Sequence, residues 1–346
     1  MTYAPLSVEP EEAIRAAFSG GVRGISVLTS GSTGEPRTVL IGGHALRYSA
    51  EASLSRLGGP GRWLLAIPAD RIGGAQVLAR SIVAGTTPLR IAPGVFTAAH
   101  FREAAHELLE STPAGTPLYT SLVPTQLRRI LEDPAATKAL DVFAAILVGG
   151  AAWGSSVRPA NVVTTYGMTE TAGGCVYNGV PLDGVEVRAD PEGRLLIAGP
   201  VLCDGFADGD VESFVTIDER RWLRSPDLGS VEGGIVTVTG RVDDVIVTGG
   251  HKVHPATVER ALSALPGVTG AAVNSVPDQE WGRSVVAIVV VAKGAVAPSL
   301  DSLQEQLRDA LPRHALPRRV IVVDSLPLLE TGKIDREAIR LLAERG

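Results

Sequence analysis

A strand-like apolar run, Gly24-Ile-Ser-Val-Leu28, empties without a spacer into Thr29-Ser-Gly-Ser-Thr-Gly-Glu-Pro-Arg37. Small, hydroxylated and glycine residues that end on a cation make a loop able to aim backbone N–H groups, hydroxyls and a guanidinium at an anion. It is not a Walker-type loop. Counting from Gly31, the second glycine position holds Pro36, and Arg37 stands where a lysine is required.

The surrounding pattern sets the fold class. Short apolar runs at 63–67, 116–120 and 144–148 alternate with helix-period stretches. In one of these Phe101, Ala104, Ala105, Leu108 and Leu109 share a face, and the stretch 122–131 behaves in the same way. Strands that are apolar throughout and alternate with helices predict a large layered α/β domain over residues 1–242. From about Gly184 to Gly240 the texture changes to short β segments (185–188, 194–197, 213–217 and 235–239) separated by Gly, Asp and Pro, as in a small β-subdomain. Residues 243–346 predict a smaller α+β domain. It holds helices near 258–265, 303–311 and 336–343 and strands at 284–291 and 319–323.

Bulk properties exclude several functions. The net charge of −6 leaves no basic field for nucleic acid or an anionic membrane. Two cysteines give no disulfide framework and suit a reducing compartment. No signal-like N-terminus or membrane-length apolar run is present, so a cytoplasmic protein is expected. His251 and His254 lie three apart without further ligands, so no metal is expected on them.

The remaining motifs follow in order. Val148-Gly-Gly-Ala-Ala152 ends a buried strand on glycines that would let a flat ligand approach the backbone. Tyr166-Gly-Met-Thr-Glu-Thr171 offers an aromatic face, hydroxyls and a hard oxygen ligand. Asp227 in Ser225-Pro-Asp-Leu-Gly229, then Gly240-Arg-Val-Asp-Asp244, Gly249-Gly-His-Lys252 and Leu329-Glu-Thr-Gly-Lys-Ile-Asp335 complete the series. Together they resemble the acyl-adenylate-forming superfamily of acyl-CoA synthetases, adenylation domains and luciferases, from about residue 24 to the C-terminus.

That resemblance implies roles. Thr29, Ser30, Gly31, Ser32, Thr33, Gly34 and Arg37 would form the phosphate loop. Gly149, Gly150 and Ala151 would sandwich adenine against Tyr166-Gly167, while Asp227 would accept both ribose hydroxyls and Arg241 would reach the ribose or a phosphate. Thr169 would touch the α-phosphate, Glu170 would hold Mg2+, and Lys333 would act where pyrophosphate departs. Asp243 would be a hinge, and Gly249, Gly250 and Lys252 a loop entering for thioester formation. ATP, Mg2+ and coenzyme A are the implied cofactors and co-substrates, with a small-molecule acid as partner and a homodimer as a further expectation.

Arg37 and Arg71 depart from residues common in the family, lysine and histidine respectively. Relatives usually carry a longer segment before the phosphate loop, so a shortened variant is expected. The runs 167–184 and 72–81 resemble the short actinobacterial o-succinylbenzoate–CoA ligases of menaquinone synthesis. Gly173 and Gly174 would then floor the pocket for an aromatic ring, and Arg80 would pair with a second carboxylate, with Arg71 as the next candidate. Another aryl or medium-chain acyl-CoA ligase, a carrier-protein acceptor in place of CoA, and a non-catalytic acyl- or nucleotide-binding relative stay open at this point.

Overall fold

The computed structural model describes residues 2–29, 37–151, 158–292, 294–329 and 334–345. The chain divides into two compact units. One gathers most residues up to Thr237, and the other runs from Val238 onward and takes in Pro226–Gly229.

The first unit is built on a seven-stranded sheet in the order Val180–Pro181, Gly173–Tyr177, Val162–Met168, Ala145–Val148, Leu118–Leu122, Arg62–Leu65, Leu89–Arg90. The five strands from Val162–Met168 to Leu89–Arg90 are parallel, and the two beyond them are each joined by antiparallel pairing, Gly173–Tyr177 to Val162–Met168 and Val180–Pro181 to Gly173–Tyr177. Leu118–Leu122 and Ala145–Val148 are buried along their whole length, as strands covered on both faces must be. Helices Ala98–Glu110 and Pro124–Leu131 follow the expected periodicity, burying Phe101, Ala104, Ala105, Leu108, Leu127 and Ile130. Leu109 departs from the expected face and is 49% exposed, because its 100° step past Leu108 carries it off the apolar stripe.

Helix Ile72–Ala84 is different in kind. Residues Gly74 to Ser81 are buried without interruption, so this helix is enclosed on all sides and takes the polar Gln76, Arg80 and Ser81 inside with it.

A second sheet orders Tyr3–Pro5, Gly24–Thr29, Arg37–Gly42 and Gly205–Phe206. A third, within the β-rich stretch, joins Glu186–Ala189, Arg194–Ala198, Arg220–Glu232 and Phe214–Ile217, with Ile235–Arg241 also paired to the long strand.

The second unit centres on a three-stranded sheet, Val268–Asp278, Gly282–Val291 and Arg319–Val322. Alternate residues of the central strand go to opposite faces. Val285, Ala287 and Val289 meet Val258 and Leu262 of helix Pro255–Ser263 and Leu303 and Leu307 of helix Leu300–Leu307. Val286 and Ile288 meet Ile339 and Ala343 of helix Arg336–Arg345. Burial on both faces explains why this strand reads as an unbroken apolar run. No helix among the described residues is long and apolar enough to cross a membrane.

Candidate active site

The parallel strands Arg62–Leu65, Leu118–Leu122 and Ala145–Val148 deliver their C-terminal ends to one edge of the sheet, where ligands of open α/β sheets bind. Gly149, Gly150 and Ala151 leave the last of these strands there, and Gly150 has φ +83°. A Cβ on Gly149 would overlap Thr165 of the neighbouring strand.

Tyr166 lies half-buried on strand Val162–Met168, with its hydroxyl 3.5 Å from Ser225 Oγ. The strand then enters a short 3-10 turn, Thr169–Thr171, which carries the half-buried Thr169 and Glu170. This turn is anchored from beneath. Thr171 Oγ1 accepts the Met168 N–H at 2.9 Å and donates to the Gly173 carbonyl at 2.7 Å. The Ala172 carbonyl accepts from Gln76 Nε2 at 2.6 Å and from Ser49 Oγ at 3.1 Å, and the Glu170 carbonyl accepts the Cys203 N–H at 2.8 Å. Gly173 leaves the turn at φ +103° against the Gln76 side chain, where an L-residue would be both strained and crowded. Gly167 has a different reason to be glycine, since a Cβ there would run into the Gly173 and Gly174 backbone.

Thr29 and Arg37 form the last rung of an antiparallel ladder, and Thr29 Oγ1 donates to the Arg37 carbonyl at 3.0 Å. The base of the expected phosphate loop is therefore a closed hairpin. Ser30, Gly31, Ser32, Thr33 and Gly34 lie outside the described residues, as does Lys333.

The Arg37 guanidinium is not presented as a bare cation. It bonds Asp210 at 2.7 Å and Asp208 at 3.1 Å and stacks over Phe206 at 4.0 Å. The Ser213 hydroxyl first, and Arg37 second, hold the Asp210 carboxyl down at about 2. Arg71 reaches back to the Leu28 carbonyl at 3.0 Å and has Asp70 at 3.8 Å, so it steadies the strand entering that loop.

Asp227, buried on strand Arg220–Glu232, accepts from Arg241 at 3.3 Å, and Asp243 lies 3.8 Å from the same guanidinium. These three residues, singled out separately in the sequence, form one cluster. Gly249 and Gly250 make the two-residue turn of the hairpin Ile246–Thr248/His251–Val253, both with positive φ as a type I′ turn requires. Lys252 is exposed on that hairpin, and His251 stacks on His314 at 4.3 Å. Near Lys333, Leu328 and Ile334 pair as an antiparallel bridge, Asp335 caps helix Arg336–Arg345, and Arg336 forks onto Glu259 at 2.5 and 3.1 Å.

Arg80 is 3% exposed, yet no carboxylate among the described residues neutralises it. Its Nη2 lies 3.4 Å from the Tyr177 hydroxyl, its plane sits 4.9 Å over the Trp63 ring, and its Nε has no partner. Burial pushes its pKa down. The Trp63 Nε1 donor and the Gln76 Oε1 acceptor are likewise buried without partners. Sequence reasoning found Arg80 but missed Gln76, although the two are four apart on one helix face. It also missed Tyr177, Ser53 and Trp63, which come from three other elements.

Both cysteines, Cys175 and Cys203, are free and buried. Burial pushes each thiol up to about 12, and the Glu170 carboxylate adds to the effect at Cys203.

Comparison with known proteins places this geometry. Residues 26–205 match the family model of AMP-binding enzymes, and residues 257–333 that of the AMP-binding enzyme C-terminal domain. A probable 2-succinylbenzoate–CoA ligase of Mycobacterium tuberculosis is 42% identical over 328 residues, covering 90% of this chain and 82% of that protein. An amide bond synthetase from Marinactinospora thermotolerans superposes with a TM-score of 0.79 at 26% identity, covering 92% of this chain and 69% of its own. The o-succinylbenzoate CoA synthetase of Bacillus subtilis, solved with its acyl-adenylate intermediate, superposes with a TM-score of 0.73 at 25% identity over 91% of this chain and 68% of its own.

Proposed function

The chain belongs to the AMP-binding enzyme family, and from that premise we propose that it is an AMP-forming acid–CoA ligase converting 2-succinylbenzoate to 2-succinylbenzoyl-CoA, a step of menaquinone biosynthesis. In the first step a carboxylate oxygen of the acid attacks the α-phosphorus of ATP, and the bond to the leaving pyrophosphate breaks. In the second, the CoA sulfur attacks the acyl carbonyl, AMP departs and the thiol proton passes to solvent.

The chain's own groups divide this work. Gly149–Ala151 and Tyr166 enclose the adenine, and Asp227 with Arg241 takes the ribose hydroxyls. Thr169 donates to the α-phosphate. Glu170, a half-buried carboxylate, would hold a Mg2+ ion, which when bound would supply charge neutralisation on the triphosphate. Lys333 adds positive charge where pyrophosphate leaves. Arg37 holds Asp208 through Nε and Asp210 through Nη2, so a phosphate that meets this guanidinium does so beside two carboxylates. Asp243 serves as the pivot between the two half-reactions, with Gly249, Gly250 and Lys252 on the thiol side.

The choice of acid rests on one observation: a buried guanidinium, Arg80, with no carboxylate beside it among the described residues. An unpaired buried charge is costly, and a ligand carboxylate would relieve it. Gly173 and Gly174 pack too closely for a side chain, since a Cβ would meet Gln76 Cγ at 2.9 Å and Thr165 Cβ at 3.2 Å respectively, and this brings their backbone close to the helix that carries Arg80. The test is a panel of acids with ATP and CoA, following pyrophosphate and thioester separately, on wild type and Arg80→Ala. The variant should use o-succinylbenzoate about ten-fold less well or worse, since each ~1.4 kcal/mol is a factor of ten, with little change in KM for ATP. Equal turnover of benzoate, a fatty acid and o-succinylbenzoate by wild type would refute the choice of acid and leave the ligase intact.

A further inference from the structure

The surroundings of Arg80 carry an assignment beyond the guanidinium itself, and it rests on the reading of Arg80 as the partner of a second carboxylate. Two hydroxyls, of Tyr177 and Ser53, line up behind the guanidinium, and their proton positions follow from counting donors. Ser53 Oγ lies 2.7 Å from the Ser49 carbonyl, which can only accept, so the single Ser53 proton is committed there. The 2.9 Å contact between Ser53 Oγ and the Tyr177 hydroxyl therefore has Tyr177 as donor. That leaves the Tyr177 oxygen lone pairs to accept from Arg80 Nη2 at 3.4 Å. The chain runs one way, from Arg80 through Tyr177 and Ser53 to the backbone of helix Gly43–Arg56. It is buried throughout.

Tyr177 also packs against Gly174. A Cβ on Gly174 would meet Thr165 Cβ at 3.2 Å and the edge of the Tyr177 ring at 3.4 Å. Where a side chain would stand at position 174, the boundary is thus the same ring whose hydroxyl holds Arg80. Trp63 supplies the aromatic face over which the guanidinium lies, 4.9 Å from the ring centroid. The result is a cation held by one lateral hydrogen bond and one aromatic face, with its Nε–H unspent.

We infer that Tyr177, with its hydroxyl oriented by Ser53, is a specificity-determining positioning residue, which turns Arg80 toward the second carboxylate of a dicarboxylic aromatic acid. Tyr177 does not touch the reacting atoms. It acts by fixing the direction of the guanidinium, and so bears on which acid binds and not on the chemistry at the α-phosphate. A planar fork recognises a carboxylate through geometry as much as charge, so a guanidinium free to swivel recognises it less well.

Tyr177→Phe removes the acceptor and keeps the ring. The readout is the ratio of kcat/KM for o-succinylbenzoate to that for 4-oxo-4-phenylbutanoate, which has the same reacting chain and ring but lacks the ring carboxylate. The wild-type ratio should lie well above one. In Tyr177→Phe it should fall about three- to ten-fold, through KM for the dicarboxylic acid, and Ser53→Ala should lower it by a smaller factor. Equal losses for both acids in Tyr177→Phe would make the residue structural and overturn the inference, as would an unchanged ratio. A wild-type ratio near one would instead refute the reading of Arg80, and this inference with it, before any variant is measured.

Discussion

Replacing Arg80 by methionine should stabilise the ligand-free protein while abolishing its stabilisation by the acid. The guanidinium projects from an enclosed helix, beside a tyrosine hydroxyl and an indole, with no neutralising carboxylate among the described residues. Removing it forfeits a desolvated cation–π contact of up to about 2 kcal/mol and one long hydrogen bond of about 0.5 kcal/mol. Against this stands the desolvation of an unpaired ion, still several kcal/mol after relaxation. Methionine is unbranched and adaptable, so it fills much of the same space without a large void, and Tyr177 keeps its bond to Ser53. The balance favours the variant by about 1–2 kcal/mol, or roughly 2–8 °C in the melting of a unit of this size.

Thermal unfolding of the full chain, with and without o-succinylbenzoate, measures both halves of the claim. At about 100 times its Kd a ligand adds about 2.7 kcal/mol to a protein that binds it only when folded. Wild type should therefore melt below Arg80→Met without the acid and above it with saturating acid. If the variant melts more than about 2 °C below wild type in the ligand-free state, the guanidinium supports the fold, and its retention needs no ligand to explain it.

Two other outcomes are expected. The Asp210 carboxyl, held at about 2 against an ordinary value near ~3.9, contributes stability that is present above pH ~4 and fades as the pH falls toward about 2. In Arg37→Ala its midpoint, followed by NMR, should rise but stop short of the ordinary range because the Ser213 hydroxyl remains; an unmoved midpoint would mean that Arg37 does not hold it. Lys333→Ala should slow ATP–pyrophosphate exchange at least ten-fold and spare thioester formation from supplied acyl-adenylate, whereas exchange at the wild-type rate would remove Lys333 from the first step.

What the sequence disclosed follows the range over which each signal acts. Parallel strands such as Ala145–Val148 are apolar along their whole length, and helix Ala98–Glu110 repeats at its own period, so both were legible from neighbouring residues alone. Strand Arg220–Glu232 was not. Pro226 and Gly229 interrupt its pattern, and the Pro226 carbonyl accepts the Val242 N–H from the following strand. Strand Val268–Asp278 was hidden in the same way by Gly270, Asn274, Ser275 and Pro277. At the site, contiguous motifs such as Tyr166–Thr171 were readable as units. The engagement of Arg37 was not, because Asp208 and Asp210 lie far along the chain and their approach depends on Gly205–Phe206 pairing with Arg37–Gly42. Arg80 was visible as a cation, but its enclosure was not, since burial depends on elements brought over it from elsewhere.

The two cysteines have a consequence for handling an activated acid. An acyl-adenylate acylates any competent nucleophile within reach, and a protein thiolate close by would intercept it and inactivate the enzyme. A thiol with a pKa of about 12 is ionised to only about one part in 10⁵ at neutral pH, and both of these are sealed from solvent as well. The protein thus gives its own electrophile no reactive thiolate other than that of the incoming co-substrate. For the experimenter the same property supplies a silent background: a single cysteine introduced on an exposed hairpin, at Val247 for instance, could carry a spectroscopic label without first stripping the native thiols.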